Sequence, residues 1–375
     1  MNVETFNYSP ESLAPFFYLN KRDRKNIYIF STEKEALEFY NNFSNFVPEA
    51  SHFPAWDTLS YDSFTPSLEI QGKRLQTLHN LLVMESFDIA MSMKSFTQKI
   101  FINDLDVIDM QIGQEVDFEN LIENLAFLRY VNKDRVESRG TFSIRGGQID
   151  IYPLNSEYPI RIIFNGDEVV ELKLFDYITQ RSIKNIKKVL ITPSSELFQT
   201  NQEDIYKSLE IESKKDLDEY ELFQFSQNLD NFKSLLDFVP DDISINIIDL
   251  NSCKEVFTEL QKIEDDSFNN LQKFFSLNVS KMKSRYVDTL KEINKFETIF
   301  YATNDLENIS NVPQFLDGLS ADNVLQKINN LAKVYLSSSN EKITEKFSGI
   351  ANLQIAENPF SYSAVFPEMS IAVID

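Results

Sequence analysis

The sequence predicts an α/β protein in which a parallel sheet domain holds an inserted small α+β domain with an antiparallel sheet, followed by a small α/β domain. Apolar runs at 27–30 and 87–91, separated by helical patterns, indicate parallel strands that are covered on both faces. Between 142 and 175, alternation of apolar with polar residues around glycine turns indicates an antiparallel sheet. After about 196 the chain returns to helices and apolar strands.

In the first hundred residues, helix and strand signals alternate. Ser9, placed before a proline, is a favourable N-cap for a short helix through 16–18. Thr32 and Glu35 predict a capping box at the start of the helix that follows the first apolar strand. A second helix, with leucines spaced through 75–82, then leads to the second apolar strand. This order of elements predicts a doubly wound sheet.

The paired glycines at 146–147 predict a two-residue hairpin turn, because glycine tolerates the positive φ angles that such turns require. Counting outward from this turn gives the register of the two strands. The expected pairs are Arg145 with Gln148, Ser143 with Asp150, and Ile144 with Ile149. Further strands at 160–164 and 169–175 alternate in the same way, so one face of this sheet is expected to meet water.

The rest of the chain is predicted to be helical and acidic, with another parallel strand at 244–249. The last block contains a helix through 324–331, a strand at 332–337, a helix rich in Glu and Lys, and a final apolar strand at 371–375. Because the chain stops on a strand, we expect a fragment or the product of a truncated gene. The predicted divisions are 1–112 and 196–290 for the two parts of the first domain, 113–195 for the inserted domain, and 291–375 for the last.

Charge and composition exclude several classes of protein. With 58 acidic and 36 basic side chains in 375 residues, the formal charge is -22, which argues against binding to phosphate backbones through clustered Lys and Arg. The single Cys253 cannot form an internal disulfide. The chain has only two histidines, far apart in sequence, so a metal site built from histidines is not expected. The sequence shows no leader and no membrane span, so a cytoplasmic monomer is expected.

Glycine is scarce and poorly placed for a nucleotide site. A phosphate loop needs glycines whose backbone N–H groups converge on the anion, together with a lysine. None of the eight glycines precedes Gly72, and Gly72 itself lies in a helical pattern without an upstream glycine. We therefore expect no nucleotide site, no cofactor and no ATPase activity in this chain.

Asp150, Glu171 and Lys173 are spaced as in many metal-dependent nucleases, where two carboxylates hold Mg²⁺ and a lysine assists the attacking water. Against this enzymatic interpretation, all three residues lie where simple alternation places polar side chains on the exposed face of the sheet. A metal-dependent nuclease is the second hypothesis for function.

Arg145 and Arg161 project from strands of the same predicted sheet in an otherwise acidic protein. Arginine is enriched at the centres of protein interfaces, and Tyr152 or Phe164 could supply adjacent aromatic surface. Residue type alone still favours a solvated face on which these arginines pair with Asp or Glu.

Two segments together carry a specific signature. The first runs from Trp56 to Pro66 and continues with Arg74-Leu75-Gln76-Thr77-Leu78. The second is Arg139-Gly140-Thr141-Phe142-Ser143-Ile144-Arg145-Gly146-Gly147-Gln148-Ile149-Asp150-Ile151-Tyr152-Pro153, followed by Ser156-Glu157-Tyr158-Pro159-Ile160-Arg161, Gly166-Asp167-Glu168, Phe175-Asp176 and Thr179-Gln180-Arg181-Ser182. These segments resemble the amino-terminal module of the bacterial transcription-repair coupling factor, firmly over about 50–195 and faintly as far as 375.

The resemblance implies a degenerate P-loop-like first domain, related to excinuclease protein B but without its nucleotide site. It also implies that the inserted domain binds excinuclease protein A and so brings nucleotide excision repair to stalled RNA polymerase. The two arginines of the family's binding surface correspond to Arg145 and Arg161. The family commonly has an aromatic residue four positions beyond the second arginine, where this chain has Asn165, and the neighbouring Phe164 is a candidate replacement. Ser60 also replaces a usual proline.

Other functions of the family belong to domains that lie beyond residue 375. These are the RNA-polymerase-binding domain and two translocase domains that use ATP and Mg²⁺. The resemblance therefore implies that this chain reaches RNA polymerase and DNA only through absent domains. The long hairpin that excinuclease protein B inserts into damaged DNA has no counterpart after Tyr61, because the next helix follows within a few residues.

Overall fold

A computed structural model provides the architecture of the chain. It describes residues 2–4, 12–21, 25–62, 64–210, 212, 216–271, 283–301, 314–316, 321–328, 331–337, 347–350, 352–356, 360, 362–366 and 371–374. The helices are α1 (Leu13–Asn20), α2 (Glu33–Phe43), α3 (Leu68–Val83), α4 (Met93–Thr97), α5 (Phe118–Phe127), α6 (Gln202–Ser208), α7 (Glu219–Ser226), α8 (Leu250–Leu271) and α9 (Ala321–Ile328).

The strands form three larger sheets and one two-stranded ribbon. They are β1 (Asn2–Glu4), β2 (Asn26–Phe30), β3 (Ser51–Phe53), β4 (Asp88–Ser92), β5 (Ile108–Gln111), β6 (Val131–Asn132), β7 (Thr141–Ile144), β8 (Gln148–Tyr152), β9 (Ile160–Asn165), β10 (Glu168–Phe175), β11 (Ser182–Ile186), β12 (Lys188–Ile191), β13 (Ser244–Ile248), β14 (Glu297–Tyr301), β15 (Gln314–Phe315), β16 (Lys333–Leu336), β17 (Leu353–Ile355), β18 (Ala364–Phe366) and β19 (Ile371–Ile374).

The first sheet, which we call the parallel sheet, has the order β1-β14-β13-β2-β4-β3, and all its neighbours run parallel. Strands β2, β4 and β13 are buried along their whole length, which confirms the prediction from their continuous apolar runs. The predicted cap at Ser9 lies outside the described residues, but the helix through 16–18 is present in α1.

The start of α2 lies at the carboxyl end of β2, where nucleotide-binding α/β proteins hold a phosphate. The predicted capping box is present: Thr32 accepts a hydrogen bond from the Glu35 backbone N–H, and the Glu35 carboxylate accepts one from the Thr32 N–H. The carboxylate of Glu33 accepts hydrogen bonds from the Ala55 N–H and the Ser92 hydroxyl. Acidic side chains of the chain itself therefore surround the amino-terminal end of α2.

The inserted sheet has the order β11-β10-β9-β8-β7-β6 and is antiparallel except for the short parallel pair β6 and β7. The hairpin register predicted from the glycine pair is confirmed, with Ser143 opposite Asp150, and with Arg145 and Gln148 joined by two backbone hydrogen bonds. Gly146 has φ 59°, the positive value that the tight turn requires.

One hydrophobic core joins the parallel sheet to the inserted sheet. Ile27 and Ile29 of β2 belong to the same buried cluster as Ile149 and Ile162 of the inserted sheet. The other face of β2 contributes Tyr28 to an aromatic cluster formed with α1, α2 and the last part of the chain. The inner face of the inserted sheet is thus covered by this core.

The predicted strand at 371–375 pairs in parallel with β16, in a sheet of order β15-β18-β19-β16-β17. This sheet packs on the first domain through aromatic contacts such as that of Tyr335 with Phe46, whose ring centroids lie 4.5 Å apart. The predicted Glu- and Lys-rich helix lies outside the described residues. Within the part of the chain that the structure describes, no helix is long and apolar enough to cross a membrane.

Candidate partner-binding face of the inserted sheet

The side of the inserted sheet that points away from the core carries a row of polar residues, and we call this side the outer face. The strand registers place the row directly across five strands. Its members are Ser143, Asp150, Arg161, Lys173 and Asn185. Alternation in the sequence predicted this composition, but not the burial of Ser143 and Asp150, which are only 2% exposed.

Arg161 is held in place by two neighbours on the outer face. Its Nε and Nη2 groups donate hydrogen bonds of 2.8 Å each to the two carboxylate oxygens of Asp150. Its guanidinium carbon lies 4.7 Å from the centre of the Phe175 ring, within the range of a cation–π contact. The hydrogen bond to Asp150 raises the pKa of Arg161 above its ordinary value. Arg161 is therefore paired with an aspartate, as residue type favoured, but the pair is more buried than a solvated face implies.

Asp150, Glu171 and Lys173 do not form the metal site of a nuclease. Both oxygens of Asp150 are occupied by Arg161, and one of them also accepts a hydrogen bond from Gln148. Glu171 forms an ion pair with Lys173, two strands away from Asp150. Among the residues that the structure describes, no group of three His, Cys, Asp or Glu side chains could hold a metal ion. These residues form ion pairs of the sheet, which argues against the nuclease interpretation.

Arg145 lies at the tip of the β7–β8 hairpin with its side chain exposed. Its Nη2 group donates a hydrogen bond of 2.8 Å to the carbonyl of Asp134, which fixes the direction of the side chain. Within the described part of the chain, Arg145 forms no ion pair with an acidic side chain. Arg145 is therefore exposed, but it does not form the pair with Asp or Glu that residue type favoured.

Phe164 and Asn165 lie at the end of β9, and they point to opposite sides of the sheet. Phe164 is 8% exposed, belongs to the core, and packs edge-to-face against Phe118 with ring centroids 5.1 Å apart. Asn165 is exposed. Phe164 therefore adds no aromatic surface to the outer face, contrary to the expectation that it could replace the family's aromatic residue. Alternation along β9 fixes this result, because Phe164 shares its side with the buried Ile162.

Exposed apolar side chains are present elsewhere on the same domain. Tyr177 and Ile178, in the turn after β10, are 38% and 67% exposed. Nη2 of Arg135 donates hydrogen bonds to the carbonyls of both residues, at 3.2 and 2.8 Å. The Tyr177 ring contacts that of Tyr152 at 6.0 Å, and Tyr152 clusters with the same aromatic ring that supports Arg161. The sequence signature includes Asp176 and Thr179 on either side of these two residues, but not Tyr177 and Ile178 themselves.

The inserted domain is less acidic than the remainder of the chain. Residues 108–197 contain 11 Lys or Arg and 14 Asp or Glu, whereas the other 285 residues contain 25 and 44. The net negative charge per residue is thus about half that of the remainder. The electrostatic repulsion of an acidic partner surface is therefore weaker at this domain than at the remainder of the chain.

A buried charged cluster links this domain to the parallel sheet domain. Nε of Arg74 donates hydrogen bonds to both oxygens of Glu196, at 2.8 and 3.0 Å, and the Trp56 indole donates to the same carboxylate at 2.8 Å. Burial raises the pKa of Glu196, while the nearby charge of Arg74 lowers it, and the net shift is upward. Trp56 and Arg74 both belong to the sequence signature, and the structure shows that they share one buried partner, Glu196.

The region that carries the outer face also matches a known protein family in sequence. Residues 108–197 match the family described as the UvrB interaction domain. The chain is 29% identical to the transcription-repair-coupling factor of Escherichia coli over 44% of its length, and 25% identical to that of Bacillus subtilis over 58%. It is 26% identical to UvrABC system protein B of Thermosipho africanus over 45% of its length.

The matched stretches cover only 14%, 21% and 26% of these three relatives, so the chain corresponds to a minor part of each. The fold has the parallel sheet, inserted antiparallel sheet and small third sheet that the sequence predicted. The resemblance to the amino-terminal module of transcription-repair coupling factors is therefore confirmed, and residues 108–197 match the UvrB interaction domain.

Proposed function

We propose that this chain is a repair-recruitment module that binds excinuclease protein A through the outer face of the inserted sheet. The observation that carries the proposal is the placement of Arg145 and Arg161, the two positions implied by the family resemblance, on one sheet of a UvrB interaction domain. In this role the chain brings nucleotide excision repair to stalled RNA polymerase. The family resemblance implies that contacts with RNA polymerase and DNA belong to other domains of the full-length relatives.

The chemistry of the outer face supports an acidic or carbonyl-rich partner. Arg145 presents an exposed guanidinium whose direction is fixed by a backbone carbonyl, so little side-chain entropy is lost when it meets a partner. Arg161 rests on an aromatic ring, and Tyr177 and Ile178 provide apolar surface nearby. Interfaces commonly place arginine and aromatic anchors together at the centre of the contact.

The proposal is tested by measuring the affinity of the chain for purified excinuclease protein A by calorimetric titration. The double variant Arg145→Ala/Arg161→Ala removes the two arginines that the family resemblance implies. Truncation of a desolvated interface arginine costs about 2 kcal/mol or more, which corresponds to roughly thirtyfold weaker binding.

The matched control is Lys34→Ala/Lys254→Ala, which removes two exposed cations from α2 and α8, far along the chain from the inserted sheet. It should bind like the unmodified chain. Retained affinity in the arginine variant, or an equal loss in the lysine control, would contradict a specific role for the outer face.

A further inference from the structure

We propose that Asp150 is a positioning residue for partner binding: it holds Arg161 in the orientation in which the free edge of the guanidinium meets a carboxylate of the partner. This inference rests on the proposed function, because it deals with the same outer face. It assigns a role in recognition to a buried acidic residue that would otherwise count only as a structural partner.

The hydrogen bonds of Arg161 divide its guanidinium into two edges. Arginine carries five N–H groups in one plane, and Asp150 takes one from Nε and one from Nη2. Within the described residues, the two N–H groups of Nη1 and the second one of Nη2 have no acceptor. These atoms form a fork that fits a second carboxylate in bidentate geometry. Arg161 can therefore bridge Asp150 and a carboxylate of the partner.

The burial of the pair gives Asp150 a fixed position. The side chain of Asp150 is 3% exposed and that of Arg161 is 18% exposed, so the carboxylate lies beneath the guanidinium. Gln148 donates a further hydrogen bond of 2.9 Å to Asp150, and the Phe175 ring supports Arg161 from the neighbouring strand. An arginine held by a carboxylate and a ring loses little rotamer freedom when a partner binds.

Charge alone predicts the opposite effect of removing Asp150. If the partner surface is acidic, then deleting a negative charge from the outer face should strengthen association slightly or leave it unchanged. If Asp150 acts by positioning Arg161, then Asp150→Asn should weaken association, because an amide cannot accept both hydrogen bonds of the Nε and Nη2 edge. The sign of the effect therefore separates the two explanations.

Glu171 provides the matched control. It is an exposed carboxylate on β10, the strand next to that of Arg161, and it pairs with Lys173 instead of Arg161. Glu171→Gln removes the same charge as Asp150→Asn and leaves the Arg161 contacts intact. It should not weaken the binding of excinuclease protein A.

The experiment measures the dissociation constant for excinuclease protein A with the complete chain and its variants. We expect Asp150→Asn to bind about tenfold more weakly, as for the loss of a charged hydrogen-bond pair. In the Arg161→Ala background, Asp150→Asn should have no further effect, because its role passes through Arg161. Unchanged affinity of Asp150→Asn, or an equal additional loss in the Arg161→Ala background, would overturn the inference.

A second readout needs no partner. In the free chain, the Nε–H signal of Arg161 in nitrogen-edited NMR spectra should persist at neutral pH and disappear in Asp150→Asn, while Glu171→Gln retains it. If Asp150→Asn does not fold, Arg161→Lys replaces it in the binding assay. Lysine keeps the charge and the ion pair but lacks the second edge, and it should bind as weakly as Arg161→Ala. Wild-type affinity in Arg161→Lys would overturn the inference.

The failure of this inference differs from the failure of the proposed function. If the unmodified chain does not bind excinuclease protein A, the proposed function fails, and the NMR signal still reports whether Asp150 holds Arg161. If Arg161→Ala abolishes binding while Asp150→Asn binds normally, the function stands and the positioning role is refuted.

Discussion

The interior of this protein contains several buried cationic side chains. Arg74 and Arg285 are both fully buried, and their guanidinium carbons lie 5.6 and 5.1 Å from the Trp56 ring. Lys99 is 5% exposed, and its ammonium donates a hydrogen bond of 2.8 Å to the carbonyl of Gln227. Each of these charges needs compensation by acceptors and aromatic faces, since an uncompensated charge in the interior is strongly destabilising.

Lys99 should make the stability of the chain depend on pH in the alkaline range. Burial lowers the pKa of Lys99 to about 8 in the folded protein, whereas an unfolded lysine titrates near 10.4. Between these values an unfolded Lys99 binds more protons than the folded one, so its contribution to the free energy of unfolding rises as the pH increases from about 8 to about 9.5. The buried thiol of Cys253, whose pKa is raised to about 12, acts in the opposite direction in both proteins that are compared. Urea unfolding at several pH values should therefore show the free energy of unfolding of the unmodified chain increasing relative to that of Lys99→Met.

The control for Lys99 is Lys254→Met, which removes an exposed lysine from α8. It should keep the pH dependence of the unmodified chain. A comparison below about pH 9.5 avoids the titration of tyrosines, whose ordinary pKa is near 10. An identical pH dependence in Lys99→Met and the unmodified chain would show that Lys99 does not carry the effect.

At the residue scale, the sequence could predict exposure only where alternation applies. Arg145 and Arg161 both alternate with apolar neighbours, yet the first is exposed and the second is paired to Asp150. The difference arises from the register across β8 and β9, which places Asp150 opposite Arg161, and from Phe175 on the next strand. A count along one strand does not contain that cross-strand information.

At the scale of elements, close packing of α3 on the loop after β8 fixes the inserted sheet relative to the parallel sheet. A Cβ atom added to Gly72 of α3 would lie 2.2 Å from the carbonyl oxygen of Leu154. Beside this contact, the Asn155 amide donates a hydrogen bond of 2.8 Å to the side chain of Gln76. Gly72, which has no place in a phosphate loop, is therefore required for contact between the helix and the loop.

Gly72→Ala should destabilise the chain even though alanine favours helices. Helix propensity alone would stabilise the variant by about 1 kcal/mol. The clash with the Leu154 backbone opposes this and, as in other overpacked cores, should produce a net loss of roughly 1–3 kcal/mol. Chemical unfolding of the variant measures the sign directly.

Gly349→Ala is the companion variant, because a Cβ atom there meets no neighbour within 4 Å. Its free energy of unfolding should change little. Gly72→Ala with a stability equal to or above that of the unmodified chain would contradict the packing explanation.

Local elements were predictable because their signals are local. Paired glycines and alternation gave the β7–β8 register, and Thr32 with Glu35 gave the start of α2. The order of the parallel sheet was not predictable, since Ser244 of β13 pairs with Asn26 of β2, more than two hundred residues earlier. Periodicity identifies such strands as buried but does not specify their neighbours.

At the scale of the whole molecule, the charge distribution and the shared core indicate that one domain supports the contact surface and the other carries it. The acidic parallel sheet domain shares its core with the inserted sheet, so it supports the outer face from behind. Its own acidic side chains surround the position at α2 where related folds hold phosphate. The least acidic part of the chain, residues 108–197, carries the proposed contact surface.

The central claim, that the outer face of the inserted sheet binds excinuclease protein A, is tested most directly by amide hydrogen exchange of the complete chain with and without that partner. We expect exchange to slow in the turns at 144–148 and 176–181, which flank the outer face, and to remain unchanged in strands β16 and β19. Protection that omits both turns, or that falls on the last sheet alone, would contradict the account.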